Sequence, residues 1–210
     1  YALTKKTTIG LSAATTINNA NPIEHGYVSI NGYDDLGFDH YKYVTDEKLL
    51  WTNPSYNFNV EHKFDTLNTI LSLSADYTEF NTKADRLSES VFYCNDDSYA
   101  KPIQAYHSNN DAKIRISTQK LDFQMYLKPK WFLETGAKTT FVSNNSNYVF
   151  EQKNPVDELF YVDTSFTNNY RYKENLIAGY VSLRHELSKG SISIGVRAEN
   201  TEITGNNITN

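Results

Sequence analysis

Cysteine is all but missing from this chain. Cys94 stands alone, so no internal disulfide can form, and packing and hydrogen bonds must hold the fold. Long apolar runs are missing too: no window approaches the roughly 18 consecutive residues that a membrane helix needs. The opening Tyr1-Ala2-Leu3-Thr4 offers neither Met nor the apolar core of a signal peptide. A helical membrane protein is excluded. Nor is there an excess of positive charge, since 20 Lys and Arg against 25 Asp and Glu leave −5. The phosphates of nucleic acid demand a basic face, so no nucleic-acid partner is expected. There is a single Met, and no stretch sustains a 3.6-residue apolar period.

What is present is aromatic and polar: 16 Tyr and 11 Phe among abundant Asn, Thr and Ser. Aromatic and β-branched residues favour strands, and Asn, Gly and Ser favour turns. Composition therefore predicts an all-β protein. At 210 residues the chain suits one domain better than two.

Alternation is the dominant pattern. Tyr56, Phe58, Val60, His62 and Phe64 interleave with Asn57, Asn59, Glu61, Lys63 and Asp65. Successive side chains on a strand point to opposite faces, so one face is apolar and the other polar. The same period sets Leu71, Leu73, Ala75 and Tyr77 against Ser72, Ser74, Asp76 and Thr78, and Leu121, Phe123 and Met125 against Asp122, Gln124 and Tyr126. Trp131, Leu133, Ala137 and Phe141 oppose Glu134, Gly136, Lys138 and Thr140; Ile192, Ile194, Val196 and Ala198 oppose Ser193, Gly195, Arg197 and Glu199. Residues 7–16 and 175–187 also read as strands. Ile114 and Ile116 are out of phase with Leu121 and Phe123. Either a bulge lies near Ser117 to Lys120, or the membrane-facing part begins only after it.

The connections alternate as well. Asp65-Thr66-Leu67, Lys128-Pro129-Lys130 and Ser188-Lys189-Gly190 are short turns, and Thr4-Lys5-Lys6 looks like half of another. Between them lie long polar excursions over 17–54, 81–112 and 143–173. In a meander, odd connections fall at one end and even ones at the other. The expected object is an antiparallel up-and-down meander: a section of a transmembrane β-barrel, with short periplasmic turns and long extracellular loops, in contact with outer-membrane lipid. About seven strands are expected over residues 1–210, treated as one barrel section of a longer protein, because single-chain bacterial barrels have even counts. The competing reading is a soluble or surface-displayed β-sheet domain, whose strands alternate against a second sheet and which would bind a glycan or protein through its aromatic loops.

Particular stretches carry a resemblance. Tyr172-Lys173-Glu174-Asn175-Leu176-Ile177-Ala178-Gly179-Tyr180 and Gly195-Val196-Arg197-Ala198-Glu199-Asn200-Thr201 resemble the paired strands Y-x-E-x-I-x-A-x-Y and G-x-R-x-E-x-T of TonB-dependent receptors. Leu133–Lys138 and Tyr56–Phe80 are similar to the Bacteroides-type branch of that family. The resemblance implies a barrel of about 22 strands, an N-terminal plug, import driven through the periplasmic TonB protein, and in many members a surface lipoprotein lid. A nutrient or chelate would be the cargo.

A charge turned to lipid at mid-depth costs about 2–4 kcal/mol. Asn59, Glu61, Asp76, Glu134, Lys138, Arg197 and Glu199 are therefore expected to line the lumen, with Arg197 and Glu199, Glu134 and Lys138, and Glu61 and Lys63 available for ion pairing. The excursions hold Tyr33, Tyr41, Trp51, Tyr99, Tyr106 and Tyr161. Such rings suit a ligand-capturing vestibule, or they pack between strand extensions standing above the membrane. The five histidines lack the close pairing that zinc needs. The acidic stretches at Gly32–His40 and Asn95–Ser98 do not match a calcium loop. No triad spacing or phosphate loop appears. No enzyme, metal site or cofactor is expected.

Overall fold

The computed structural model describes residues 4–30, 38–64 and 69–208. They form one nine-stranded sheet: β1 (Thr7–Ala20), β2 (Ile23–Ser29), β3 (His40–Lys63), β4 (Ile70–Tyr93), β5 (Tyr99–Lys128), β6 (Trp131–Lys153), β7 (Phe160–Val162), β8 (Asn168–Leu187) and β9 (Gly190–Asn207). The order is β1-β3-β4-β5-β6-β8-β9, with β2 added to β3 and β7 to β6. All pairs are antiparallel. β1 and β2 make one stave. Ala20 faces Leu49 and Ile23 faces Asp46, so the register is kept across Pro22, which has no N–H and only accepts, from the Glu47 amide at 3.1 Å. The meander thus has seven staves.

Among the described residues the long excursions are mostly strand. β3 and β4 run 24 residues each and β5 runs 30, more than twice the roughly 9–11 that cross a bilayer. Much of 17–54, 81–112 and 143–173 is strand, as expected of strand extensions and not of extended extracellular loops. The reason is physical: apolar alternation marks a strand only where its two faces meet different solvents, and a backbone ladder continues without it. At the other end the connections are short, as expected at Lys128–Trp131, where Lys130 takes φ 70°, and at Leu187–Gly190. The predicted turn Asp65-Thr66-Leu67 lies outside the described residues, as does Tyr33.

The sheet is a single layer. The chain exposes 14348 Å², whereas a compact monomer of this mass exposes about 10,000 Å². Among the described residues no large side chain is fully buried, and the buried apolar residues are Phe92, Ala105 and Ala178. Ile194 is 72% exposed and Leu11 80%. A β-sandwich would have covered them with a second sheet; nothing among the described residues does.

β1 and β9 form the two edges, each paired on one side among the described residues. As first and seventh of alternating staves they run in the same direction. They cannot close on each other as an antiparallel pair.

Candidate functional site

The register carries the alternating runs of separate strands onto one surface. Ile9, Val60, Leu73, Leu121, Ala137, Gly179 and Ala198 lie side by side across all seven staves. The row below contains His62, Leu71, Phe123, Thr135, Val181 and Val196. Aromatic rings edge this apolar field. At the short-turn end Trp131 stacks on His185 at 4.4 Å, with the Lys128 ammonium 5.4 Å from the Trp131 ring. At the opposite margin Tyr56 stacks on its cross-strand partner Tyr77 at 6.3 Å, in the row that includes Phe141. From Trp131 to Phe141 is roughly 33 Å of strand and, at a tilt of about 40°, roughly 25 Å of height. That is the thickness of the apolar band of an outer-membrane barrel.

The opposite face holds every sequence-predicted polar site residue. Asn57 donates to Asp76 at 2.6 Å and Asn59 to Asn57 at 2.9 Å. Glu61 pairs with Lys63 at 3.5 Å, and Arg197 with Glu199 at 2.7 Å. Glu134 does not pair with Lys138, contrary to expectation. It accepts instead from the Tyr180 hydroxyl at 3.1 Å, while Lys138 has no acidic partner among the described residues. The single proton of that hydroxyl is shared with Asp122, at 2.5 Å, and Asp122 holds Lys120 at 2.7 Å. This second cluster spans β5, β6 and β8. Sequence reasoning missed Tyr180 and Asp122 as partners, because three strands must first be laid in register. Asn59, Asp76 and Glu61 belong to a separate group on β3 and β4, and Arg197 and Glu199 stand on the edge strand β9.

Above the Tyr56–Phe141 margin the two faces exchange character. β5 runs from Ser90's partner Gln104 to Tyr126 without a register shift, so no bulge separates Ile114 and Ile116 from Leu121. They keep their parity and fall on the polar face, beside Phe80 and Val142. Lys113 and Arg115 take the other side, where Glu79 pairs with Arg115 at 2.9 Å and Lys113 at 3.5 Å.

The aromatics of the extensions are partly packed. Tyr41 lies 5.3 Å from Phe92 and 6.4 Å from Tyr43. Tyr106 stacks on Phe150 at 5.5 Å and donates to Gln104 at 3.0 Å. Trp51 projects from the Asn59 side of β3 between Asn18 and Thr82. Tyr99 and Tyr161 are exposed, the latter donating to Asp157 at 2.7 Å. These rings do not converge on one pocket. His107 bridges three strands high in the extensions, with Nδ1 2.7 Å from Glu151 and Nε2 3.2 Å from Asp85. Its pKa is raised, chiefly by the hydrogen bond to Glu151 and then by Asp85, against the opposing effect of burial.

No curated protein and no solved structure matches the chain. Residues 62–210 match the outer membrane protein beta-barrel family, which covers every stave from the end of β3 onward. With that match over more than two thirds of its length, and with an apolar band of bilayer height on one face of a single antiparallel layer, the chain belongs to the outer membrane protein beta-barrel family and turns that face to the lipid of the outer membrane.

Proposed function

We propose that the chain is a section of an importer barrel of the TonB-dependent receptor kind, taking up a nutrient or chelate rather than catalysing a reaction. What supports this reading is the apolar patch of Phe80, Ile114, Ile116 and Val142, on the sheet face opposite the lipid belt and set above the polar cluster of Asp122, Glu134 and Tyr180. A water-filled pore has no use for such a patch, because apolar surface left in water forgoes about 25 cal/mol per Å². A barrel plugged by a folded domain covers it. The direction of the outermost strands points the same way: β1 and β9 run alike, in lipid every backbone donor and acceptor needs a partner, and two strands running in one direction close an antiparallel barrel only through an odd number of further staves. The resemblance of Tyr172–Tyr180 and Gly195–Thr201 to receptor strand pairs supplies the coupling to TonB, and the tall extensions offer a surface to a lipoprotein lid.

The test is conductance of the full natural protein in planar bilayers. The reading expects silence under native conditions, with reversible large-pore openings when mild denaturant loosens the plug. It also expects a constitutive leak in Phe80→Asp/Ile114→Asp. Steady conductance of the unmodified protein without denaturant would make it a porin instead.

A further inference from the structure

Two residues above Phe141, on the lipid-facing side, a groove of about 640 Å³ crosses β5, β6 and β8. Its chemistry is unlike the belt beneath it. Ser143 of β6 lies between Arg115 of β5 and Lys173 of β8, and Asn145 lies between Lys113 and Arg171. Four cations thus frame two neutral hydrogen-bonding side chains, with the two columns of charge separated by two strand spacings, about 9.5 Å. Nearby acids are already engaged. Glu79 holds Arg115 and Lys113, and Asp111, in the groove wall, holds Lys83 at 3.9 Å. Glu202 shares this face only at the level of Asn175, a row below Lys173. Arg171 and Lys173 are exposed and have no acidic partner among the described residues.

Height decides what such a groove can meet. Phe141 closes the apolar band, so the next rows stand among the head groups of the outer leaflet, and they face away from the lumen, where no imported solute passes. Basic pockets at this depth bind phosphate-bearing head groups, at about 1 kcal/mol per Lys or Arg. An Arg fork further suits the bidentate geometry of phosphate.

We propose that this groove seats the phosphorylated sugar head group of an outer-leaflet glycolipid, with Arg171 and Lys173 as the phosphate ligands and Ser143 and Asn145 meeting sugar hydroxyls. The inference rests on the lipid-facing assignment of the Ile194–Val196 side. The test uses the full natural protein in detergent, with diphosphoryl lipid A as the probe and retention read by native mass spectrometry. Arg171→Glu/Lys173→Glu should cut retained lipid A by roughly tenfold or more. Arg171→Gln/Lys173→Gln should cut it less, and Lys189→Glu at the opposite end should leave it unchanged. Dephosphorylated lipid A should bind the parent as poorly as intact lipid A binds the charge-reversed variant. Equal retention by parent and Arg171→Glu/Lys173→Glu, or equal binding of the dephosphorylated lipid, would overturn the proposal. So would full displacement of lipid A by inorganic phosphate, which would mark a site for free anions. Heat-modifiable mobility is read in the same samples. If it is present and lipid retention is indifferent to charge, the groove assignment fails alone; if the parent lacks it and needs no detergent, the lipid-facing assignment fails with it.

Discussion

The Tyr180 hydroxyl reaches Asp122 at 2.5 Å although the two residues stand on β8 and β5 with β6 between them. It can do so because the residue in the way is Gly136, which pairs with Asp122 on one side and Tyr180 on the other. A Cβ at Gly136 would come within 2.6 Å of both Asp122 Oδ1 and Tyr180 Cε1 and 2.8 Å of the Leu121 carbonyl. Two of these are ends of side chains; the carbonyl is backbone and cannot swing aside. The ring lying over a bare backbone position thus ties three staves together on the polar face.

Gly136→Val is therefore expected to lose about 2–3 kcal/mol of unfolding free energy, through displacement of the ring and two stranded carboxylates. Tyr180→Phe keeps the ring and gives up only the hydroxyl, at about 1–2 kcal/mol. Denaturant unfolding in phospholipid vesicles measures both. A Gly136→Val protein as stable as the parent would show that the strand-spanning contact does not hold these staves together.

Charge placement across the wall gives a sharper contrast. Val196 is 70% exposed on the apolar face, whereas Thr201, of opposite parity on β9, lies on the polar face. Val196→Lys should cost about 2–4 kcal/mol in a bilayer, and Thr201→Lys about 0.5 kcal/mol or less. Vesicle insertion yield and unfolding midpoint check this pair, and equal effects would contradict the assignment of faces.

His107 makes the outer extensions sensitive to pH. Its pKa is raised in the folded state by Glu151 and Asp85, so the charged form is bound more tightly there than in the unfolded chain. The stabilisation is full below the unfolded value of about 6.5 and is lost as pH rises through the higher folded value. The site is partly open to solvent, which limits the effect to below about 1 kcal/mol. Hydrogen exchange of β4, β5 and β6 near Asp85, His107 and Glu151, compared between parent and His107→Gln, should differ at about pH 5.5 and converge by about pH 9. A difference that stays constant over that range would mean the histidine acts by packing on Phe160, 6.1 Å away, and not by charge.

Much of this was legible before the strands were assembled. Phe58, Leu73, Leu121 and Ile194 announce the lipid-facing side because each alternates with a polar neighbour, and a period of two survives whatever the register is. The short turns at Pro129 and Lys189 were equally plain. What could not be read is what depends on register or lacks a solvent contrast. β4 continues through Lys83-Ala84-Asp85-Arg86 with water on both faces, so nothing in those residues distinguishes ladder from loop. Ile114 and Ile116 mark the point where the apolar belt ends, and only the strand's parity, continuous through Ser117 to Lys120, puts them on the polar face. The Glu134–Lys138 pairing seemed natural along one strand; Tyr180 takes Glu134 because neighbouring strands are closer than the second neighbour along a strand.

If the Val196 side of the sheet meets hydrocarbon and the Arg197 side meets water, neighbouring positions on β9 must differ in what collides with them. Single spin labels placed at successive positions from Ile192 to Glu199, through cysteine substitutions in a Cys94→Ser background, read this directly in lipid vesicles. Collision with dissolved oxygen is expected to peak at Ile192, Ile194, Val196 and Ala198, and collision with a water-soluble nickel chelate at Ser193, Gly195, Arg197 and Glu199. Water-soluble collision at all eight positions alike would contradict it.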